Sequence, residues 1–417
     1  MEKGKKHKAV LRLSAIFLSL LIISCLGLHC QELFIASDRI PAAAKDDFGL
    51  MAEAWNTINA RYVDRTAVKP SNMTYGAISG MVDSLGDTGH STFLSPDMLK
   101  EEQKYTKGRY KGVGLEVRMK EGKVVIVAPL DGSPAQKAGL RPGEIIAAVD
   151  GRDTAGLSLS RVVGLISGPP GTSTTLGILN PDTGKRRNVT LVRTDIIVKN
   201  VTWDRIPGTE VAHLRIAAFS NDVTKNLKAA LREINNENLK GIILDLRDNP
   251  GGLLDEAVSS TSQFLTGGDV LQVKDARGRV SPVPVEKGGL APQIPMTGLI
   301  NVGTASASEI MAGALLDHNR AVLVGTTTFG TGTVLQTFPL SDGSALMLAV
   351  EEWLTPDGNT IWHKGITPEV KVTLAPGVKP LFPDAEKTLT AGGLKESRDS
   401  QLLRALDLLT RTKTPDK

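Results

Sequence analysis

Cysteine is almost missing from this chain: 417 residues hold two, Cys25 and Cys30, both near the N-terminus. No disulfide can staple the remainder, so its domains must be held by their cores. Zinc-ligand spacing is missing too, because the six histidines are scattered. Charge of one sign is not in excess. The formal net charge of +4 comes partly from the first dozen residues and gives no reason to expect a nucleic-acid partner. Residues 325–332 are glycine-rich but lack Gly-Lys-Ser/Thr, which argues against a phosphate loop. No metal and no cofactor is expected.

What is present begins with Lys3, Lys5, Lys6, Lys8 and Arg12 ahead of an apolar run over residues 13–28. That is the layout of a signal peptide or a short membrane anchor over residues 1–30. Ile22-Ile-Ser-Cys25 offers a lipoprotein-like alternative with Cys25 as the lipid site. The chain is therefore expected to be exported and extracytoplasmic, in a bacterial cell envelope, and associated with the membrane through this segment. Residues 45–105 read as an N-terminal helical region. Phe48, Met51, Ala52, Trp55, Ile58 and Tyr62 share one helical face, and Thr74, Ala77, Ile78, Met81 and Leu85 share a second.

Residues 108–195 carry Lys111-Gly-Val-Gly-Leu-Glu-Val117, Val124-Val-Ile-Val127, Ser133-Pro-Ala-Gln-Lys-Ala-Gly-Leu140 and Val162-Val-Gly-Leu-Ile166 in order. Together these resemble a PDZ domain. The resemblance implies that the loop Gly112, Val113, Gly114 and Leu115 holds a chain-terminal carboxylate, and that the helix with Val162 and Ile166 lines a groove where a peptide adds as a strand. After Asp195, strand and helix patterns alternate, implying an α/β core over residues 197–375. Residues 376–417 read as a loose extension and a last helix striped by Leu402, Leu403, Leu406 and Leu409.

Two stretches of the core carry chemistry. Asn249-Pro-Gly-Gly252 ends a strand with glycines that let backbone N–H groups approach a carbonyl. Residues 303–336 open on Gly-Thr-Ala-Ser-Ala-Ser-Glu-Ile at a strand-to-helix turn, where Ser306 and Ser308 lie beside the free N–H groups of the helix start, with Glu309 near its positive end. The two stretches resemble the C-terminal processing (tail-specific) serine proteases, the PDZ-containing branch of the ClpP/crotonase-like peptidases. The implied fold is an α/β protease core with an inserted, β-barrel-like PDZ domain and an N-terminal helical region. By this resemblance Ser306 is the nucleophile, and Gly251 or Gly252 with Ala307 forms the oxyanion hole.

The family's base is a lysine in Phe-Gly-Lys-Gly, helped by a glutamine one turn later. Here the segment is Phe329-Gly330-Thr331-Gly332, the glutamine position is Leu335, and Gln336 comes one residue too late. A desolvated lysine can take the serine proton; a threonine hydroxyl cannot, and serine without a base is a poor nucleophile. His90, in a segment resembling the family's Asp-Pro-His-Ser-x-Tyr-Leu, is expected as the replacement base. His363 is a second candidate, expected in turns together with Glu351, Glu352 and Trp353. Two functions follow: an endopeptidase acting on proteins or peptides with exposed C-termini, or a pseudoprotease that binds such tails without hydrolysis.

Overall fold

The computed structural model describes residues 40–87, 91–105, 109–387 and 389–411. The N-terminal segment with Cys25, and His90, lie outside the described residues. The chain divides into two compact units, residues 1–74 and 75–417. In the first, the expected helix runs Lys45–Arg61, with Asp46 and Asp47 in its first turn, where carboxylates favour the helix dipole. Among the described residues, Phe48, Met51, Ile58 and Tyr62 of its apolar face are exposed and Trp55 is half-buried.

The second unit is built on a six-stranded sheet in the order Val201–Arg205, Val211–Ile216, Gly241–Asp245, Met296–Ile300, Val322–Gly325, Val370–Lys371. The first pair is antiparallel and the rest are parallel. Parallel pairing needs crossovers, and the crossing helices cover the sheet. Alternate residues therefore enter two cores. Ala212, Leu214, Ile216, Ile242 and Leu244 belong to the larger one, with helices Val223–Asn236, Leu254–Thr261 and Ala307–Asp317. Val211, Ile243, Leu299 and Val324 meet Leu402, Ala405 and Leu409 of the last helix, Ser400–Arg411.

Charge is buried there too. His213 lies between Asp245, at 3.1 Å, and Glu386, at 2.8 Å, while Arg247 joins Asp245 to Asp399. Burial alone would lower the His213 pKa, but the two carboxylates push it up to about 9. The extension that reads as a loose connection thus supplies two buried carboxylates to the strands just before Asn249.

Inserted ahead of this sheet, Leu115–Lys120, Lys123–Pro129, Ile145–Val149, Ser173–Leu179 and Arg186–Val192 form an antiparallel sheet with its own apolar core. Leu115–Lys120 and Arg186–Val192 are its edge strands. The pair Arg109–Gly112 and Thr194–Ile197 brings the two ends of the insert together. A further sheet contains Thr92–Leu94, Asp269–Asp275, Val280–Pro284, Thr333–Pro339 and Ala345–Leu354. Glu351, Glu352 and Trp353, expected in turns, lie in the last of these strands. Thr333–Pro339 and Asp269–Asp275 pair with it and hold it extended to Leu354.

Candidate active site

Ser306 closes the turn after Met296–Ile300 and opens the helix Ala307–Asp317. Its φ of 58° and ψ of −124° are a conformation that a non-glycine residue keeps only when its surroundings impose it. The constraints are visible. Ala305 N–H donates to Asn249 O at 2.9 Å, and the buried Ser308 hydroxyl lies 2.8 Å from Asn249 O and 2.7 Å from Ala305 O. Ser308 is thereby a structural residue of the turn. Ser306 remains only half-buried.

Glu309 binds the rest of the site together. Fully buried, it accepts from Thr328 Oγ1 at 2.5 Å and Gly330 N–H at 2.7 Å through Oε1, and from Ser306 N–H and Thr331 N–H, both at 2.9 Å, through Oε2. Because Ser306 and Thr331 share one oxygen, their backbone nitrogens are within about 6 Å of each other. Burial pushes the Glu309 pKa up and the four donors oppose this.

Thr331 therefore lies against the Ser306 turn. It is 5% exposed and carries no basic group. Leu335 and Gln336 follow on the strand Thr333–Pro339, opposite Ala349 and Leu348, past an irregularity between Val334 and Leu335. Successive strand residues face opposite sides, so Gln336, which is exposed, does not take the place of Leu335.

Asn249-Pro-Gly-Gly252 meets this turn directly. A Cβ on Gly251 (φ 98°) would come within 2.6 Å of Ser306 Cβ and 2.8 Å of Ala307 N, so only glycine lets the two segments touch. Its N–H is already donated to Asn249 Oδ1 at 2.8 Å, which removes Gly251 from the pair of oxyanion candidates. Gly252 is exposed and backs onto Phe219, whose N–H donates to Gly251 O and whose O accepts from Leu253 N–H, each at 2.8 Å. Among the described residues, neither Gly252 N–H nor Ala307 N–H has an acceptor.

Of the two histidines, His363 sits in a turn against the same loop. Its N–H donates to Gly330 O at 3.0 Å, its ring stacks on Trp362 at 4.7 Å, and it is exposed. His90 is outside the described residues, but the next residue is anchored: Ser91 Oγ accepts from Ala349 N–H at 3.0 Å, and Ala349 is the partner of Leu335.

In the inserted domain, Gly114 (φ 76°) packs so closely on Ser133 that a Cβ would lie 2.2 Å from Ser133 Cβ. Val113 O and Gly114 O accept from Ala135 N–H and Leu130 N–H, both at 3.0 Å, which fixes the loop running from the buried Gly112 to the half-buried Leu115. Val162 and Ile166, expected to line the groove, are instead 0% and 8% exposed in that domain's core. With Val162 and Ile166 turned inward, the half-buried Val163 and Leu165 are left nearer the surface. The domain rests on the site: Val125 and Val127 pack with Ala305 and Phe329, and Lys120 Nζ lies 5.4 Å from the Phe329 ring centre. Asp131 also grips Arg215 at 2.7 and 2.9 Å, and Arg215 in turn donates to Arg247 O at 2.7 Å. Sequence reasoning missed Glu309 as a clamp and Asp131–Arg215 as a link; neither spacing nor composition signals a contact between segments so far apart.

Fold and turn together define a class: a serine-peptidase scaffold with a peptide-binding domain set into it. Comparison with known proteins places it further. Residues 210–372 match peptidase family S41 and residues 125–180 match the PDZ domain. The chain is 34% identical over 376 residues to the carboxy-terminal processing protease CtpA of Bacillus subtilis, covering 89% of this chain and 79% of that one. It is 37% identical over 325 residues to the carboxy-terminal-processing protease of Bartonella bacilliformis, covering 77% and 74%. Among solved structures, the photosystem II D1 C-terminal processing protease superposes with a TM-score of 0.69 at 29% identity, over 82% of this chain and 97% of that one. The chain belongs to the S41 family of carboxy-terminal processing serine proteases, with a PDZ domain.

Proposed function

We propose that the chain is an exported endopeptidase that captures protein C-termini through its PDZ domain and cuts with Ser306. Ser306 Oγ attacks the scissile carbonyl carbon, and the N–H groups of Gly252 and Ala307 receive the oxyanion, each contributing about 3 kcal/mol in the transition state. A histidine takes the serine proton and returns it to the leaving amine, and water then releases the acyl group by the same route. We assign this base to His90, supported by the anchoring of Ser91 one strand away from Leu335. The observation that carries the reading is the half-buried Ser306 beside two N–H groups that have no acceptor among the described residues, in a turn that Glu309 ties to the Gly330–Thr331 loop. Basic residues ahead of the apolar run at the N-terminus support export and membrane association.

Thr331 favours a second reading, in which the same surfaces hold tails without cutting them. The test is cleavage of an unstructured protein ending in small apolar residues by the chain lacking residues 1–30. Wild type should cut, and Ser306→Ala and His90→Ala should not, while His363→Ala should keep its activity. Loss in His363→Ala but not His90→Ala transfers the base to His363. Tail binding without cleavage by wild type establishes the adaptor.

A further inference from the structure

A groove of about 740 Å³ runs between helices Val223–Asn236 and Leu254–Thr261, and it includes Leu253, the residue after Gly252. Its near end is therefore about 4 Å along the chain from the proposed oxyanion donor. Lys225, Lys228 and Arg232 line one wall at helical spacing. Leu253 and Leu254 add apolar surface, and three acids, Asp222, Asp255 and Glu256, are also present.

The acids and bases are segregated: Lys225, Lys228 and Arg232 lie on the first helix, Asp255 and Glu256 on the second. Glu256 is occupied by the start of the facing helix, accepting from Asp222 N–H at 2.8 Å, Thr224 N–H at 2.9 Å and Thr224 Oγ1. It replaces the cap that Asp222, at φ 66°, does not supply. Asp222 itself lies 4.0 Å from Lys225. Among the described residues, neither Lys228, half-buried along the groove, nor Arg232, one helical turn on, forms an ion pair, and Asp255 is the remaining acid of the lining. A lysine and an arginine so spaced can close on one carboxylate.

We infer that this groove is a substrate subsite for a carboxylate, either an acidic side chain of the bound polypeptide or its terminal carboxylate, within a few residues of the bond held at Gly252. The inference rests on the proposed function and adds a substrate class to it.

The test measures binding, not turnover. Full-chain Ser306→Ala is titrated by fluorescence anisotropy with three labelled, unstructured peptides of equal length. One has an internal Glu and an amidated end, one has Gln there and an amidated end, and one has Gln and a free carboxylate. The Glu peptide should bind about tenfold more tightly than its Gln counterpart at low salt, and the preference should shrink at about 0.5 M salt. Adding Lys228→Ala and Arg232→Ala should abolish it, and Lys228→Glu with Arg232→Glu should reverse it, with unchanged thermal unfolding as the check on folding. If only the free-end peptide weakens in the double variant, the carboxylate is the terminal one. Equal affinity for the Glu and Gln peptides, together with free-end binding that the double variant leaves unchanged, overturns the inference. Failure of wild type to cut any peptide would sink the peptidase reading and leave this result standing.

Discussion

Glu309→Gln preserves the shape of the side chain and removes half of its accepting capacity. The carboxylate accepts from four donors, two per oxygen. Glutamine offers one oxygen, so its amide nitrogen must face two of those donors. Each buried donor left without an acceptor costs about 1–3 kcal/mol, and no longer burying a charge offsets part of that. A net destabilisation of about 3 kcal/mol is expected, read as a lower urea midpoint at unchanged m-value. The loss should also be local. Amide hydrogen exchange at Ser306, Gly330 and Thr331 should quicken while the PDZ strands keep their protection, and any peptidase activity should fall with it. A variant within about 0.5 kcal/mol of wild type, with unchanged exchange at those three amides, would refute the clamp.

Further predictions follow from the same geometry. Gly251→Ala, whose Cβ would lie 2.6 Å from both Ala305 O and Ser306 Cβ, should destabilise by about 3 kcal/mol and open the turn, measured by urea unfolding. His213 is bound more tightly to its proton in the folded chain, with its pKa raised from 6.5 to about 9. Its stabilisation is therefore complete below about pH 6.5 and is lost as pH rises through about 9, about 3 kcal/mol in all. Urea unfolding across this range should show the decline in wild type and a flatter profile in His213→Gln. Thr331→Lys should place an amine in a buried position near Ser306, where desolvation lowers its pKa; hydrolysis should rise at least tenfold, and no rise would show that the Ser306 geometry is not retained.

Much of the fold was legible because its signals are local. Parallel strands such as Gly241–Asp245 read as apolar runs, and the glycines of the PDZ segments mark turns in a fixed order. The stripe from Leu402 to Leu409 announced a packed helix. What was not legible depends on contacts between distant segments. Glu351 and Glu352 look like turn residues, but Glu352 is held in its strand by Lys274 at 3.1 Å and by Thr360. Glu386 and Asp399 sit in an extension with loop composition, yet they meet His213 and Arg247 more than 150 residues away. The resemblance to a PDZ domain puts Val162 and Ile166 on the groove helix, and only packing shows that they face the domain core. Helical periodicity gave Phe48 and Met51 one face, but it could not say whether anything covers it.

The half-buried Ser306 lies next to two backbone N–H groups, of Gly252 and Ala307, that have no acceptor among the described residues, and its hydroxyl should therefore react as a nucleophile. Reaction of the folded chain with a fluorophosphonate, followed by peptide mapping by mass spectrometry, tests it most directly. A single adduct on Ser306 is expected, slower in His90→Ala and absent in Ser306→Ala. A folded chain that stays unmodified at Ser306, or is labelled on another serine instead, would contradict it.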